Sequence, residues 1–497
     1  MKKSFIVFFA LALAVSASAL YSQDIFNAIG KGDMEQVKSI FEKDAGSMNA
    51  ILDNAYTTLS FAAMVGNADM VKYLISKNAA VNNADRKIRS PIFHAVYRGH
   101  LDVVKLLAAN GADMNEATLG MSLLHSAVMA DHMQVAEFLL SAGRNVDEKD
   151  NYGLTPLHMA VELGHLELCK LLVAKGADLN IRCNDGATPL HLSDEANQQE
   201  IMQFLLSKGA KKVSRDFPVV KGKYLGAKNP GPSLELFNPN RTMRIIGPHS
   251  GVAISRDGKE IFWVRGDYSG KLWHMKKVGG LWTPPRVAPF SGQFDNSYPC
   301  FSADGRKLYF TSDRPKEENG KYKKGVGDIW FVEKSGAGWS EPMNVGSGVN
   351  TNGDEFIASV DKHGTIYFTR VLFKDGKVNS DIFCAEFTDG KYQAAMPMAP
   401  SINSSKFEVG PFVAPDGRYM IFGSQRFGDM TTCISFRKNN GCWTEARNIQ
   451  HAFSPFSQSY VQGISADGRF ILFAGEKDRS WEIYWLSAKI VEKFKEI

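Results

Sequence analysis

Five segments of nearly the same pattern constrain the second half of this 497-residue chain more than any other feature. Each enters a turn from a short apolar run and leaves it through aromatic and β-branched residues, as in Phe301-Ser-Ala-Asp-Gly-Arg-Lys-Leu-Tyr-Phe310. Because glycine accepts positive φ without steric cost, Asp-Gly between two such runs predicts a β-hairpin. The turn glycines recur every 47 to 59 residues, at Gly258, Gly305, Gly364, Gly417 and Gly468.

Two more strand signals follow each hairpin. In the second unit a third strand is predicted at residues 328–333, and fourth strands are predicted to begin at Leu281, Trp339, Lys391 and Cys442. Four strands in each repeat are typical of a β-propeller blade. The fifth unit ends after its third strand, near Ser487, and residues 233–237 lie where a fourth strand should precede the first unit. We therefore expect five blades closed by pairing of the two ends, with six as the alternative if residues 214–250 contain a degenerate blade.

The turn motif Ser-x-Asp-Gly, followed by Leu-Tyr-Phe-x-Ser-Asp-Arg, resembles the TolB-type, WD40-like β-propellers of exported bacterial proteins. The second unit matches this signature best, and the third departs from it with Asp361-Lys-His-Gly364. The resemblance implies an envelope-associated role, although a shared fold is weak evidence for function.

A second repeat, with a period of 33 residues, occupies residues 24–213. Thr155-Pro-Leu-His158 recurs as Thr188-Pro-Leu-His191 and is preceded by Ser122-Leu-Leu-His125. A short helix, a Gly-His turn or a variant of it, and a second helix follow each motif. The pattern resembles the ankyrin repeat family, with degenerate end units as capping of a solenoid requires. We count six units, which begin near residues 24, 54, 86, 119, 151 and 184.

The expected fold is therefore multidomain α + β: an ankyrin-repeat α-solenoid followed by an all-β propeller. We place a signal peptide at residues 1–19, the ankyrin repeats at 24–213, a linker at 214–223 and the propeller at 224–490.

The ankyrin resemblance implies that His125, His158 and His191 bond the turn and the next repeat, and do not bind metal. It also implies protein partners at the finger tips and inner helices, because a solenoid offers an extended concave face. Carried over by position, the candidate binding residues are Asp85, Arg86, Lys87, Glu116, Lys149, Tyr152, Arg182 and Asp185.

The N-terminus carries export signals. Lys2 and Lys3 precede an apolar run at residues 5–15, and Ala17-Ser-Ala19 is a cleavage signal. We expect a periplasmic or secreted protein without a membrane span; an uncleaved anchor is the alternative. A net charge of +5 gives no support for nucleic-acid binding. The sequence has no zinc-ligand spacing or phosphate loop, so no metal or cofactor is expected.

One propeller face is expected to carry the residues that precede each first strand and follow each second strand. They form ion pairs and hydrogen bonds between blades in one interpretation and a site for a polar or anionic ligand in the other. The predicted ring contains Arg265, Arg314, Arg370, Arg426, Lys477, Asp295, Asp354, Glu355 and Glu408. Two long loops, predicted at 315–327 and 371–380, add Lys316, Lys321, Lys323, Lys324, Lys374 and Lys377.

We interpret the chain as a monomeric protein–protein interaction scaffold that binds through the ankyrin concave face and one propeller face. A carbohydrate-active hydrolase is one alternative, because Asp295, Asp354 and Glu408 are expected at equivalent positions in successive blades. Catalysis, however, needs carboxylates in unlike environments, which repetition disfavours. A protein that binds a polar small ligand or an anion is the other alternative.

Overall fold

A computed structural model gives the fold of the chain. It describes residues 17–43, 51–52, 56–82, 89–118, 120–214, 220–231, 233–237, 243, 251–265, 270–292, 294–318, 321–323, 327–336, 338–374, 377–450, 459–477 and 480–495. Two compact units divide between residues 217 and 218.

Consecutive helix pairs make up the N-terminal unit, one pair in each of the six predicted repeats. Over the described residues the helices are α1 (Ala17–Lys31), α2 (Met34–Lys43), α3 (Thr58–Val65), α4 (Ala68–Ser76), α5 (Pro91–Arg98), α6 (Leu101–Ala109), α7 (Leu123–Met129), α8 (Met133–Ser141), α9 (Pro156–Leu163), α10 (Leu166–Ala174), α11 (Pro189–Glu195) and α12 (Gln199–Ser207). The predicted helical solenoid is confirmed. The predicted cleavage site after Ala19 lies in the first turn of α1, and residues 1–16 of the predicted signal peptide lie outside the described residues.

Short polar side chains start the first helix of most pairs. Each accepts a hydrogen bond from the backbone N–H three residues further on, which satisfies a donor that the helix itself leaves free. Proline follows the cap in α5, α9 and α11, where a missing N–H costs no helical bond. The caps are Thr57, Ser90, Ser122, Thr155 and Thr188. One continuous apolar core runs through all the pairs.

Two short hairpins contribute strands to this unit. In the first, β1 (Ile51–Leu52) pairs with β2 (Tyr56–Thr57), and in the second, β3 (Ala117–Thr118) pairs with β4 (Met121–Ser122).

Five antiparallel sheets form the C-terminal unit over its described residues. In the order in which the strands hydrogen-bond, they are blade 1, β6 (Val252–Ile254), β7 (Glu260–Arg265), β8 (Lys271–Val278) and β10 (Arg286–Val287); blade 2, β11 (Asn296–Phe301), β12 (Lys307–Ser312), β15 (Asp328–Ser335) and β17 (Met343–Asn344); blade 3, β18 (Glu355–Val360), β19 (Ile366–Lys374), β20 (Lys377–Ala385) and β23 (Met396–Pro397); blade 4, β24 (Glu408–Val413), β25 (Tyr419–Ser424), β26 (Thr431–Phe436) and β27 (Arg447–Asn448); and blade 5, β28 (Ser459–Ile464), β29 (Phe470–Lys477), β30 (Ser480–Ser487) and β5 (Glu235–Leu236).

The first strands lie side by side around a closed ring, in the order β6, β11, β18, β24, β28 and back to β6. The last blade takes its fourth strand from the other end of the unit: Leu236 pairs with Tyr484, and Glu235 with Trp485. The Phe237 N–H adds a bond of 2.8 Å to the Ile483 carbonyl. Five blades closed by end pairing, as predicted, are confirmed. A 3-10 helix (Ala488–Phe494) follows β30.

Side-chain hydrogen bonds explain the repeated turn. In blade 2, Ser302 Oγ donates to Asp304 Oδ1 at 2.6 Å, and the same oxygen accepts from the Arg306 N–H at 2.9 Å. Between them Gly305 adopts φ +73°, in the left-handed region that favours glycine. The serine-to-aspartate bond recurs in blades 1 and 5, between Ser255 and Asp257 and between Ser465 and Asp467.

The fourth strands begin later than the sequence predicts. The residues predicted to begin fourth strands lie instead in short hairpins after the third strand. There, β9 (Leu281–Trp282) pairs with the end of β8, and β16 (Gly338–Trp339) pairs with the end of β15. In blade 3, β22 (Lys391–Tyr392) pairs with β21 (Phe387–Thr388). In blades 1 to 4 the strand that completes the sheet starts four residues after the aromatic residue, which is Trp282, Trp339, Tyr392 or Trp443. Pro284 and Pro342 lie in this gap in blades 1 and 2, and proline has no N–H to donate to a ladder.

The two predicted long loops are largely β-structure. The segment 371–380 continues β19 and β20, with Val371 opposite Ser380 and Phe373 opposite Val378. The segment 315–327 contains a separate hairpin of β13 (Lys316–Glu318) and β14 (Lys321–Lys323). The prediction of long loops at these positions was therefore wrong, because backbone pairing continues along both segments: β19 and β20 extend into the first, and β13 and β14 pair within the second.

Candidate functional site

The motif histidines of the helical unit cap helices and join repeats. His125 Nδ1 lies 2.9 Å from Ser122 Oγ, and its Nε2 lies 3.0 Å from the Leu154 carbonyl of the next repeat. His158 makes the same contacts with Thr155 Oγ1 and the Ala187 carbonyl, at 2.9 and 3.2 Å, and His191 repeats the cap with Thr188. Burial lowers the pKa of His125 to about 4. These geometries confirm the structural role that the sequence predicts.

A second series of histidines, which the sequence did not indicate as contacts between repeats, also joins neighbouring repeats. His100 Nε2 lies 3.0 Å from the Met64 carbonyl of the preceding repeat, and His132 Nε2 lies 3.0 Å from the Tyr97 carbonyl. Burial lowers the pKa of His100. The signal available in the sequence was the histidine after the first helix of the pair, in Gly99-His100 and Asp131-His132, which the sequence alone indicates only as a turn.

The predicted finger residues also join neighbouring repeats. Lys149 Nζ donates to the Arg182 carbonyl at 3.1 Å. The Arg182 guanidinium donates to the carbonyls of Gly186 and Ser214, at 2.8 and 3.1 Å. Lys149 is nevertheless exposed, so its side chain can also contact a partner protein.

Glu116 and Asp185 accept backbone hydrogen bonds, from the Ser90 and Ala187 N–H groups at 3.3 and 3.1 Å. Tyr152 is half-buried against the helical core. Arg86, with Asp85 and Lys87, lies outside the described residues.

In the propeller, Arg314 is a structural anchor. Its side chain is only 6% exposed. The guanidinium donates to Asn296 Oδ1 and Ser312 Oγ, both at 3.1 Å, and to the carbonyls of Phe290 and Ser291. Burial lowers its pKa to about 10. Arg314 therefore fixes the turn before β11 to the end of β12, within one blade.

Arg370 and Arg426 repeat this arrangement. Arg370 Nε donates to Glu355 Oε1 at 2.9 Å, and its Nη2 donates to the Val349 carbonyl at 2.8 Å. Arg426 donates to the carbonyls of Ser401 and Ile402. Both arginines thus hold the segment that connects the preceding blade to the first strand of their own blade.

The ring carboxylates are not equivalent. The strand registers place Asn296, Glu355 and Glu408 at one position, opposite Ser312, Arg370 and Ser424. Asp295 and Asp354 precede that position by one residue. The prediction that Asp295, Asp354 and Glu408 are equivalent was therefore wrong by one step, because the distance from the turn glycine sets the register.

The carboxylates of Glu408, Glu355 and Asp354 have partners in the structure, and Asp295 is bonded through its backbone. Glu408 is wholly buried and accepts from the Ser404 N–H at 2.8 Å and from Ser424 Oγ at 2.7 Å. Glu355 is also wholly buried, and this burial raises its pKa. Its carboxylate is bonded to the Arg370 guanidinium. Asp354 Oδ1 accepts from the Gly327 N–H at 2.9 Å. The Asp295 carbonyl accepts from Ser312 Oγ at 3.0 Å.

For the remaining ring residues, only the backbone lies within the described part of the chain. Arg265 ends β7 opposite Lys271, Lys477 ends β29 and Lys323 ends β14. The side chains of these three, and of Lys316, Lys321, Lys374 and Lys377, lie outside the described residues, as does the whole of Lys324.

A pocket of about 730 Å³ lies at the other end of the first strands, among the Asp-Gly turns. We call it the turn-face pocket. Turns from all five blades line it, together with residues 229–230, 487–489 and Glu492. Sequence reasoning treated these turns as scaffold. The sequence contains one signal for this pocket, because the residue before the turn Asp or His differs from blade to blade. In chain order these residues are Arg256, Ala303, Lys362, Pro415 and Ala466.

Fold and site together define a two-part repeat protein in which the repeated polar residues support the repeats themselves. Residues 25–118 and 124–216 match the family model for ankyrin repeats (3 copies), so the helical array is an ankyrin-repeat array. Among the described residues, no cluster of three or more potential metal ligands is present and no helix is long and apolar enough to cross a membrane.

Several known proteins are similar to parts of this chain. A Danio rerio protein named as a candidate palmitoyltransferase, ZDHHC13, is 35% identical over 27% of this chain and 21% of its own length. The ankyrin repeat and SAM domain-containing protein 6 of Rattus norvegicus is 33% identical over 18% of this chain and 10% of its own length. The ankyrin repeat and KH domain-containing protein mask of Drosophila melanogaster is 33% identical over 19% and 2%. The chain thus spans about a fifth or less of these relatives.

Proposed function

We propose that this chain is an exported scaffold that binds protein partners through the concave face of its ankyrin array and one face of its propeller. The ankyrin repeats carry the proposal, because such arrays support a protein-interaction role. The hydrogen bonds of the motif residues are consistent with a scaffold, because His125, Arg314 and Glu355 all bond to other residues of the fold.

Partner capture tests the scaffold function. Tagged full-length protein is incubated with envelope extract of the source organism, and captured proteins are quantified by mass spectrometry. Lys149→Glu changes an exposed finger residue, and Lys105→Glu makes the same charge change on the exposed side of α6. We expect a partner that wild type and Lys105→Glu retain and Lys149→Glu loses. Equal capture by all three proteins would contradict binding through the fingers.

Export rests on the N-terminal signal. Lys2, Lys3, the apolar run and Ala17-Ser-Ala19 support it, and the resemblance to TolB-type propellers supports an envelope location. Cell fractionation with N-terminal sequencing tests this part. A mature chain from Leu20 outside the cytoplasm is expected; a full-length chain in the cytoplasm would contradict export.

Carbohydrate hydrolysis is the second function, and the buried carboxylates weigh against it. Glu355 and Glu408 have no exposed surface, and Arg370, Ser404 and Ser424 satisfy their oxygens. A catalytic pair flanks the bond that it cleaves, which requires carboxylates that the substrate can reach.

A further inference from the structure

The turn-face pocket contains three basic side chains that have no side-chain partner among the described residues. Arg256 comes from blade 1, Lys362 from blade 3 and Lys489 from the segment after β30. All three are exposed. None makes a side-chain hydrogen bond or ion pair with the described residues. Because they come from different parts of the ring, their charges are distributed around the pocket.

The acidic residues of the same pocket already have partners. Asp416 pairs with Arg418 Nε at 2.6 Å, and Asp467 pairs with Arg469 Nε at 2.7 Å. Asp304 accepts from Ser302 Oγ and the Arg306 N–H, and Glu492 pairs with Lys495 at 2.6 Å. Among the described residues Asp304 has hydrogen bonds but no ion pair, so three basic side chains and one acidic side chain of this pocket remain without an ion-pair partner, and the remaining charge is positive.

Tyr419 adds an independent observation. It lines the pocket and is only 8% exposed, and its hydroxyl has no hydrogen-bond partner in the described part of the chain. Buried hydroxyls are nearly always bonded, and one without a partner raises the free energy of the folded protein. An acceptor oxygen supplied by a ligand would remove that cost.

We propose that the turn-face pocket binds a ligand that carries several separated carboxylate groups. Arg256, Lys362 and Lys489 supply the charge, and the Tyr419 hydroxyl donates a hydrogen bond. The volume of about 730 Å³ lies within the range of ligand pockets. An Asp/Glu-rich segment of a partner protein and a free oligocarboxylate share this chemistry. The protein source rests on the scaffold function proposed above, whereas the site itself does not.

Isothermal titration of the full-length protein tests the site. The probes are hexaglutamate, citrate and, as a neutral control, hexaglutamine. We expect binding of at least one anionic probe, weakened by added salt because exposed charges are screened, and no binding of hexaglutamine. The triple variant Arg256→Gln/Lys362→Gln/Lys489→Gln should bind roughly tenfold more weakly, given the small contribution of each exposed charge.

A charge-matched control separates the pocket from net charge. Lys72→Gln/Lys105→Gln/Lys175→Gln also removes three exposed positive charges, all on the ankyrin array. This variant should retain the wild-type affinity. Equal weakening by both triple variants, or no binding of either anionic probe, would overturn the proposal and leave the capture test of the ankyrin fingers unaffected.

Tyr419→Phe tests the hydroxyl without disturbing ring packing. Because the variant removes a buried group without a partner, we expect its melting temperature to be equal to or above that of the wild type. Its affinity for the anionic probe should fall about fivefold. An unchanged affinity would exclude the hydroxyl from the site. Between the sources, tighter binding of hexaglutamate favours a protein segment, and tighter binding of citrate favours a free oligocarboxylate.

Discussion

The ankyrin array should lose stability in mild acid because His125 and His94 are buried and burial lowers the pKa of each. His125 has no exposed surface, and burial lowers its pKa from 6.5 to about 4. Nδ1 accepts from the Ser122 N–H at 3.3 Å, so the proton resides on Nε2, which donates to the Leu154 carbonyl. Protonation of Nδ1 would replace that acceptor with a donor facing another donor.

The magnitude follows from proton linkage. Above pH 6.5 the imidazole is neutral in both the folded and unfolded states, so stability does not depend on this group. Between pH 6.5 and 4 the unfolded chain binds a proton that the folded site excludes, so stability falls as the pH falls. At pH 5 the loss is about 2 kcal/mol for His125. His94, whose pKa burial lowers to about 3, adds about as much.

Urea unfolding of the full-length protein, followed by circular dichroism at 222 nm, measures this loss at pH 7.5, 6 and 5. His125→Gln should be less stable at pH 7.5 but should lose about 2 kcal/mol less than the wild type between pH 7.5 and 5. His363→Gln, at an exposed position in the turn of blade 3, is the matched control and should keep the wild-type slope. Parallel pH curves for the wild type and His125→Gln would refute the reasoning.

Three further predictions concern the propeller. Arg314→Lys should destabilise it by about 3 kcal/mol in chemical unfolding followed by tryptophan fluorescence, because lysine cannot replace the forked bonds to Phe290 and Ser291; a loss below about 0.5 kcal/mol would contradict the anchor role. Leu236→Pro should lower the propeller melting temperature by disrupting the pairing of β5 with β30, whereas Glu235→Ala should have little effect; equal melting of the two would contradict closure by end pairing. We expect neither the wild type nor Asp354→Asn to hydrolyse polysaccharides, and hydrolysis by the wild type that this substitution abolishes would support the enzyme alternative.

Local chemistry made most of the fold predictable from the sequence. A Thr-Pro-Leu-His motif is a helix cap within a few residues, and Ser-x-Asp-Gly is a complete hydrogen-bonded turn. The closing strand was predictable because Ser233 to Phe237 was the strand that the fifth blade lacked. The start of each fourth strand was not, because the chain first turns after Trp282 or Trp339 before it joins the sheet.

The sites depend on contacts that a single strand does not encode. The sequence places Arg314 directly after a strand. Its acceptors, however, are the carbonyls of Phe290 and Ser291, more than twenty residues earlier. The direction of these carbonyls depends on the path of the turn before β11. The turn-face pocket arises only when five turns meet, and the sequence does not indicate that the Tyr419 hydroxyl has no hydrogen-bond partner among the described residues. Sequence reasoning therefore favoured the face with the repeated arginines.

Photo-crosslinking in the source cells tests the scaffold function most directly. A photoreactive amino acid is placed at Asn184, an exposed position in the finger region, or at Lys105 on α6 as control. The account predicts a discrete protein adduct from position 184 that is absent from position 105 and disappears when Lys149→Glu is added. Adducts that are the same from both positions, or none from position 184, would contradict a scaffold that binds through its ankyrin fingers.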